Sequence, residues 1–228
     1  MATLRPHPSR KHKKASVFIL DNYPIVCRGL RQLIEAEPGL TVCGEALDGR
    51  AALKALKALS AKGQAPGLVL MDIALKNEVG LDVVREIKAK YPGTLVLVIS
   101  IYHENFYAER ALNAGAKGYV MKSQAAGTIL AAVRRVLSGG VHLSEAVSLK
   151  VLHRISTPGG AGERSPIDRL SDRELEVFRL IGTGLGTRQI AASVSRSIKT
   201  IEVYRERIKK KLSLKNASEL SQAAIQWS

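Results

Sequence analysis

Five short, nearly continuous apolar runs separated by helix-length amphipathic segments constrain this chain most. They are Val17–Leu20, Leu40–Cys43, Leu68–Met71, Leu95–Ile99 and Gly118–Met121. Continuous rather than alternating apolarity marks strands buried on both faces, which in practice means a parallel sheet sandwiched between helices. The intervening segments carry one apolar stripe each, as in Leu81, Val84, Ile87 and Tyr91, or Leu130, Val133 and Leu137. The expected fold of residues 15–138 is therefore an α/β, (βα)5 flavodoxin-like open parallel sheet with right-handed crossovers.

After residue 138 the pattern changes. Gly139-Gly140, a short helical segment Glu145–Ile155, and the run Pro158-Gly159-Gly160-Ala161-Gly162 with Pro166 read as a linker over 139–167. Residues 168–228 then hold four helix-start signals: the capping box Ser171-x-x-Glu174, Thr187, Ser197, and Asn216-x-x-Glu219. They predict an all-α four-helix domain.

Charge narrows the partner. The 228 residues carry 35 Lys and Arg against 20 Asp and Glu, a net +15 that points to a polyanion. Residues 1–14 form a basic tail, expected to be disordered, with Arg5, Arg10, Lys11, Lys13 and Lys14 and no acid. Between 188 and 215 nine basic residues face two acids, which makes this stretch the expected footprint on double-stranded DNA. Apolar runs such as Leu95–Ile99 stop well short of the roughly 18 residues of a membrane span, so no membrane partner is expected. Cys27 and Cys43 sit in apolar segments without metal-binding spacing, which suits reduced thiols and a cytoplasmic protein.

In an open α/β sheet, ligands bind beyond the carboxyl ends of the strands. Those positions here hold Asp21-Asn22, Asp72, Ser100 and Lys122. Two carboxylates and an amide oxygen suit a hard cation such as Mg2+, while a hydroxyl and an ammonium suit phosphoryl oxygens. The segment after the first strand, Asp21-Asn22-Tyr23-Pro24, lacks the glycine loop of a nucleotide-using enzyme. A regulator rather than an enzyme is expected, and an adaptor that ignores DNA conflicts with the basic third helix of the C-terminal domain.

The segments Phe18–Val26, Leu70–Ile73 with Gly80-Leu81, Val98–Ser100 and Gly118–Lys122 resemble the receiver domain of two-component response regulators. The resemblance implies Asp72 as phosphoacceptor; Asp21, Asp72 and the Ala74 carbonyl as Mg2+ ligands; Ser100 and Tyr119 as switch residues; and Lys122 as the phosphate-pairing lysine. Spacings of 28 residues from Asp72 to Ser100 and 22 on to Lys122 are typical of that family. Two positions depart from its pattern. Asn22 replaces a second metal-binding acid, and Lys76 stands where a proline usually follows. One carboxylate fewer weakens cation binding, and a phosphorylation-independent regulator with a degenerate pocket is the alternative reading.

Leu170–Val177, Gly184–Ala191, Ser197–Arg205 and Ile208–Leu212 resemble the LuxR-type helix-turn-helix domain, as found in the NarL/FixJ response regulators. That resemblance implies a DNA-binding transcription regulator acting as a homodimer downstream of a sensor histidine kinase. The third helix is expected to bury Ile198, Ile201, Ile208 and Leu212 and to turn Lys199, Glu202, Val203, Glu206, Arg207 and Lys210 outward. Arg188, Ser197, Thr200, Arg205, Lys209 and Lys211 complete the expected DNA contacts, with basic residues mainly on phosphates. Leu220, Ala224 and Trp227 of the last helix are the expected dimer seam, with packing of Trp227 on its own bundle as the alternative.

Overall fold

The computed structural model describes residues 14–76, 78–156 and 165–227. The basic tail and the Pro/Gly-rich part of the linker lie outside the described residues, apart from Lys14 at the end of the tail.

Five parallel strands form one sheet in the order β2-β1-β3-β4-β5. They are β1 (Ala15–Leu20), β2 (Leu40–Ala46), β3 (Leu68–Met71), β4 (Leu95–Ser100) and β5 (Tyr119–Met121). β3 is buried along its whole length and β4 in all but its first residue, as continuous apolarity requires. Helices α1 (Pro24–Glu35), α2 (Gly49–Ala61), α3 (Gly80–Lys90), α4 (Glu104–Asn113) and α5 (Ala126–Leu137) complete the (βα)5 unit. The strand order changes direction between β1 and β3, so Asp21 and Asp72, immediately after these two neighbours, share one rim.

The described part of 139–167 is not free of this unit. His142 bridges to Gly118 beside β5, and α6 (Glu145–Ser156) packs on α4 with Val147 buried. A 3-10 turn at Pro166–Arg169 leads into α7 (Asp172–Gly182), α8 (Thr187–Ser193), α9 (Ile198–Leu212) and α10 (Ala217–Gln226). The caps form as their residue types dictate. Ser171 and Glu174 make the reciprocal capping box, and Ser197 and Asn216 each accept an amide three residues on. Gly186 rather than Thr187 occupies the cap of α8, with Gln189 reaching back to the Gly186 amide.

The two units are clasped through α3 and α4 on one side and the 3-10 turn, α7 and α10 on the other. Asp172 takes Arg110 at 2.9 Å and also pairs with Arg85. Arg110 donates a second bond to the Ile167 carbonyl at 3.1 Å, and Arg173 reaches Asp82 at 3.1 Å. The Phe106 and Trp227 rings meet edge to face at 5.5 Å.

Candidate phosphoryl pocket and nucleic-acid interface

Asp21, Asp72 and Ser100 have no solvent exposure and converge at the strand ends, where Lys122 joins them from the end of β5. The Lys122 ammonium lies 2.5 Å from Asp21 Oδ2 and 2.7 Å from Asp72 Oδ2. Asp72 Oδ1 accepts the Ala74 amide at 2.8 Å, which ties the following loop to the carboxylate. Burial pushes the Asp21 carboxyl above its ordinary range, against the hydrogen bonds from Lys122 and the Tyr23 amide that pull it down. Burial also opposes the charge on Lys122, but the adjacent Asp72 and Asp21 outweigh it and raise that ammonium's pKa.

The rest of the rim is built around Tyr102. Its amide donates to Ser100 Oγ at 3.3 Å, and its carbonyl accepts the Tyr119 hydroxyl at 2.8 Å. Tyr119 is buried, which holds its phenol well above the ordinary value. Asn22 Oδ1 is shielded from solvent and accepts no hydrogen bond, so it presents a free neutral oxygen beside Asp21. No group of three or more His, Cys, Asp and Glu that could hold a metal forms among the described residues. The carboxylates at this rim are Asp21 and Asp72, and the side chain between Asp21 and Tyr23 is the neutral amide of Asn22. Gly80 is held against the loop after Asp72, where a Cβ would lie 2.3 Å from the Ile73 Cα. Lys76 is exposed, outside the buried cluster.

In the C-terminal unit, α8 and α9 meet through a turn in which Ser195 takes φ +51°. The amides of Ser195 and Arg196 close back on the Ala192 and Ala191 carbonyls. Ile201 and Ile208 anchor α9 inward, and Leu212 is partly buried. Ile198, expected inside, is 43% exposed because it opens the helix before the first full turn reaches the bundle. Lys199, Glu202, Val203, Glu206, Arg207 and Lys210 are exposed as expected, and so are Arg188 and Ser197. Thr200 is half-buried, with its hydroxyl 2.8 Å from that of Ser197, and Arg205 is also half-buried. Lys209 is mostly covered and pairs with Glu206 at 2.8 Å.

Two expectations are corrected. Lys211, expected on phosphate, has its ammonium 2.6 Å from the buried Glu174, which makes it an ion-pair partner within the domain. Leu220 and Ala224 are fully buried in the domain's own core, where α10 packs on α7, and offer nothing to a dimer seam. Trp227, still 40% exposed, meets the Phe106 ring of the sheet unit rather than packing solely on its own bundle. Sequence reasoning missed Tyr102 and Arg179, whose guanidinium carbon sits 4.3 Å from the Tyr102 ring centre. Neither carries a local motif that signals a contact made across 77 positions of chain.

Comparison with known proteins defines the class. Residues 17–134 match the response regulator receiver domain, and residues 168–224 match the bacterial regulatory proteins of the luxR family. The transcriptional activator protein ExaE of Pseudomonas putida is 33% identical over 211 residues, covering 92% of this chain and 95% of that one. RcsB from Salmonella enterica serovar Typhimurium, bound to promoter rprA in the presence of the phosphomimetic BeF3-, superposes with a TM-score of 0.65. It is 28% identical, with 93% of this chain and 98% of that chain covered. A structure of two RcsB dimers bound to two parallel DNAs gives a TM-score of 0.55 at 26% identity, over 94% and 98% of the two chains. The chain belongs to the two-component response regulators that join a receiver to a LuxR-type DNA-binding domain, a family of transcription regulators. No helix among the described residues is long and apolar enough to cross a membrane.

Proposed function

We propose that Asp72 accepts a phosphoryl group from a sensor histidine kinase and that its occupancy sets how a homodimer of this chain engages DNA. The observation that carries this reading is the Lys122 ammonium shared between Asp21 and Asp72 at 2.5 and 2.7 Å. A largely covered cation aimed at a strand-end carboxylate is poised to pair with the oxygens of a group transferred there. In the transfer, an Asp72 carboxylate oxygen forms the new P–O bond while the bond to the donor nitrogen breaks. Ser100 Oγ and Lys122 Nζ then take up the added oxygens.

A Mg2+ ion fits the donor set: the carboxylates of Asp21 and Asp72, the Ala74 carbonyl, and the free amide oxygen of Asn22. When bound, it neutralises charge developing on the transferred group. Asn22 is also the observation that favours the second reading, a regulator that binds DNA without phosphorylation. The bonding pattern of Lys122 supports the first.

On the DNA side, Lys199, Arg207 and Lys210 hold phosphates while Glu202 and Val203 face base edges in the major groove. Arg188, Ser197, Thr200, Arg205, Glu206 and Lys209 border that face. A single recognition helix covers one half-site, which supports the homodimer, as do the RcsB dimers on DNA. A cytoplasmic location follows from the same partners.

The test is mass spectrometry of the intact chain after incubation with acetyl phosphate and Mg2+. The wild type is expected to gain one phosphoryl group and Asp72→Asn none. A wild type that gains nothing yet binds DNA establishes the second reading. Retained modification in Asp72→Asn moves the acceptor elsewhere.

A further inference from the structure

The pocket and the DNA-binding domain are joined at one loop residue that neither domain's motifs mark. Tyr102 lies two residues beyond Ser100. Its backbone is bonded on both sides to the switch: the amide to Ser100 Oγ at 3.3 Å and the carbonyl to the Tyr119 hydroxyl at 2.8 Å. Its ring leaves the receiver and lies under the Arg179 guanidinium of α7, 4.3 Å from ring centre to Cζ. Arg179 is fixed in turn by Glu176 at 2.8 Å on the same helix. α7 packs directly on both α9 and α10.

We infer that Tyr102 is the positioning residue that transmits occupancy of the phosphoryl pocket to the DNA-binding domain, through the stack of its ring on Arg179. The inference rests on the reading of Asp72 as phosphoacceptor. A phosphoryl group on Asp72 gives the Ser100 hydroxyl new oxygens to face. Ser100 Oγ is at present the acceptor for the Tyr102 amide, so drawing it toward the pocket removes that acceptor. The loop must then find another arrangement, and the ring travels with it. Space for a second position exists. A cavity of about 300 Å³ surrounds the ring, lined by Ile101, Phe106, Phe178, Arg179 and Trp227 among others. The neighbouring clasp does not do this work, because Asp172 meets Arg85 and Arg110 on α3 and α4, and no bond links either arginine to the pocket residues. That clasp holds the domains together, while Tyr102 is hydrogen-bonded to the switch residues and stacked on the far domain.

The amide-to-hydroxyl bond is long and the stack lies between partly covered groups, so each is easily exchanged for an alternative. Contacts of this strength suit a switch, since a ligand shifts a two-state element only by its differential interaction with the two states, and weak contacts leave that difference free to decide.

The experiment is hydrogen–deuterium exchange on the full chain with and without beryllofluoride and Mg2+, comparing wild type, Tyr102→Leu and Tyr102→Phe. In the wild type, exchange should change by about threefold or more both at the rim, residues 98–122, and along α7. Tyr102→Leu should keep the rim response, which shows that its receiver is folded and loaded, and lose the α7 response. Tyr102→Phe keeps the ring and should restore it. An equal α7 response in Tyr102→Leu and wild type overturns the inference, as does a wild type whose rim responds while α7 does not. A wild type whose rim does not respond overturns the phosphoacceptor reading itself.

Discussion

Lys211, on the last turn of the recognition helix, ends 2.6 Å from Glu174, a carboxylate only 3% exposed that also closes the capping box of α7. The pair fastens α9, the proposed DNA-reading helix, to α7, the helix that contacts the receiver. Burial would raise the Glu174 pKa, but Lys211 and the Ser171 amide and hydroxyl outweigh it, and the value falls below the usual range. A carboxyl lowered in the folded state adds stability that is present above its unfolded pKa and is lost as pH falls through the folded value. Glu174→Gln should therefore cost on the order of 1 kcal/mol at neutral pH. The gap to wild type should close as pH drops below the ordinary carboxylate range, as measured by urea unfolding at stepped pH.

Basic residues on α9 should divide into two groups by salt dependence. Alanine at Lys199, Arg207 and Lys210, all exposed, should each reduce the slope of log affinity against log salt by about 0.9 on a mixed-sequence duplex. Lys211→Ala should leave that slope unchanged and lower thermal stability instead. Fluorescence anisotropy across a salt series separates the two behaviours, and a reduced slope in Lys211→Ala would place that residue on DNA after all.

The neutral oxygen of Asn22 sets how well the pocket holds a cation. Asn22→Asp adds a carboxylate beside Asp21 and Asp72, so Mg2+ affinity should rise on the order of tenfold, and phosphoryl uptake should quicken with it. Calorimetric titration and the rate of mass gain read the two quantities. If neither moves, position 22 does not face the metal.

Gly80 governs the loop from a distance along the chain. A Cβ there would meet the Ile73 Cα at 2.3 Å and its carbonyl oxygen at 2.5 Å, backbone atoms that cannot swing away. Gly80→Ala should push the segment after Asp72, costing about 1–3 kcal/mol, and slow phosphoryl uptake without changing DNA affinity. A fully stable variant with normal uptake would show that α3 shifts instead.

Much of this architecture was legible before any coordinates. Continuous apolar runs marked all five strands, and the rim residues followed from where the strands end. β3 and β4 are buried on both faces, which leaves no room for polar alternation, whereas the edge strand β2 kept its apolar run although it is mostly half-buried. Ser171, Ser197 and Asn216 announced their helices because a cap is a local chemical need. What was missed is what periodicity cannot resolve. Leu220 and Ala224 lie on an apolar stripe, and a stripe does not say whether its own bundle or a second chain covers it. Lys211 reads as one more cation until its partner 37 residues earlier is placed beside it. Tyr102 and Arg179 come from different domains, and only the assembled chain brings them together.

The clasp between the domains uses the 3-10 turn, α7 and α10 and leaves the outer face of α9 uncovered. The contact between the domains and the proposed DNA face of α9 therefore do not compete for the same surface. Electrostatic attraction to a DNA backbone needs no matched sequence, so a chain of net charge +15 with that face uncovered is expected to bind DNA non-specifically in the docked arrangement as well. Arrival at DNA is then not the quantity a signal has to control. In the proposed homodimer, what a signal can change is the relative placement of two such helices, so an idle chain would differ from an active one in where it pauses on DNA.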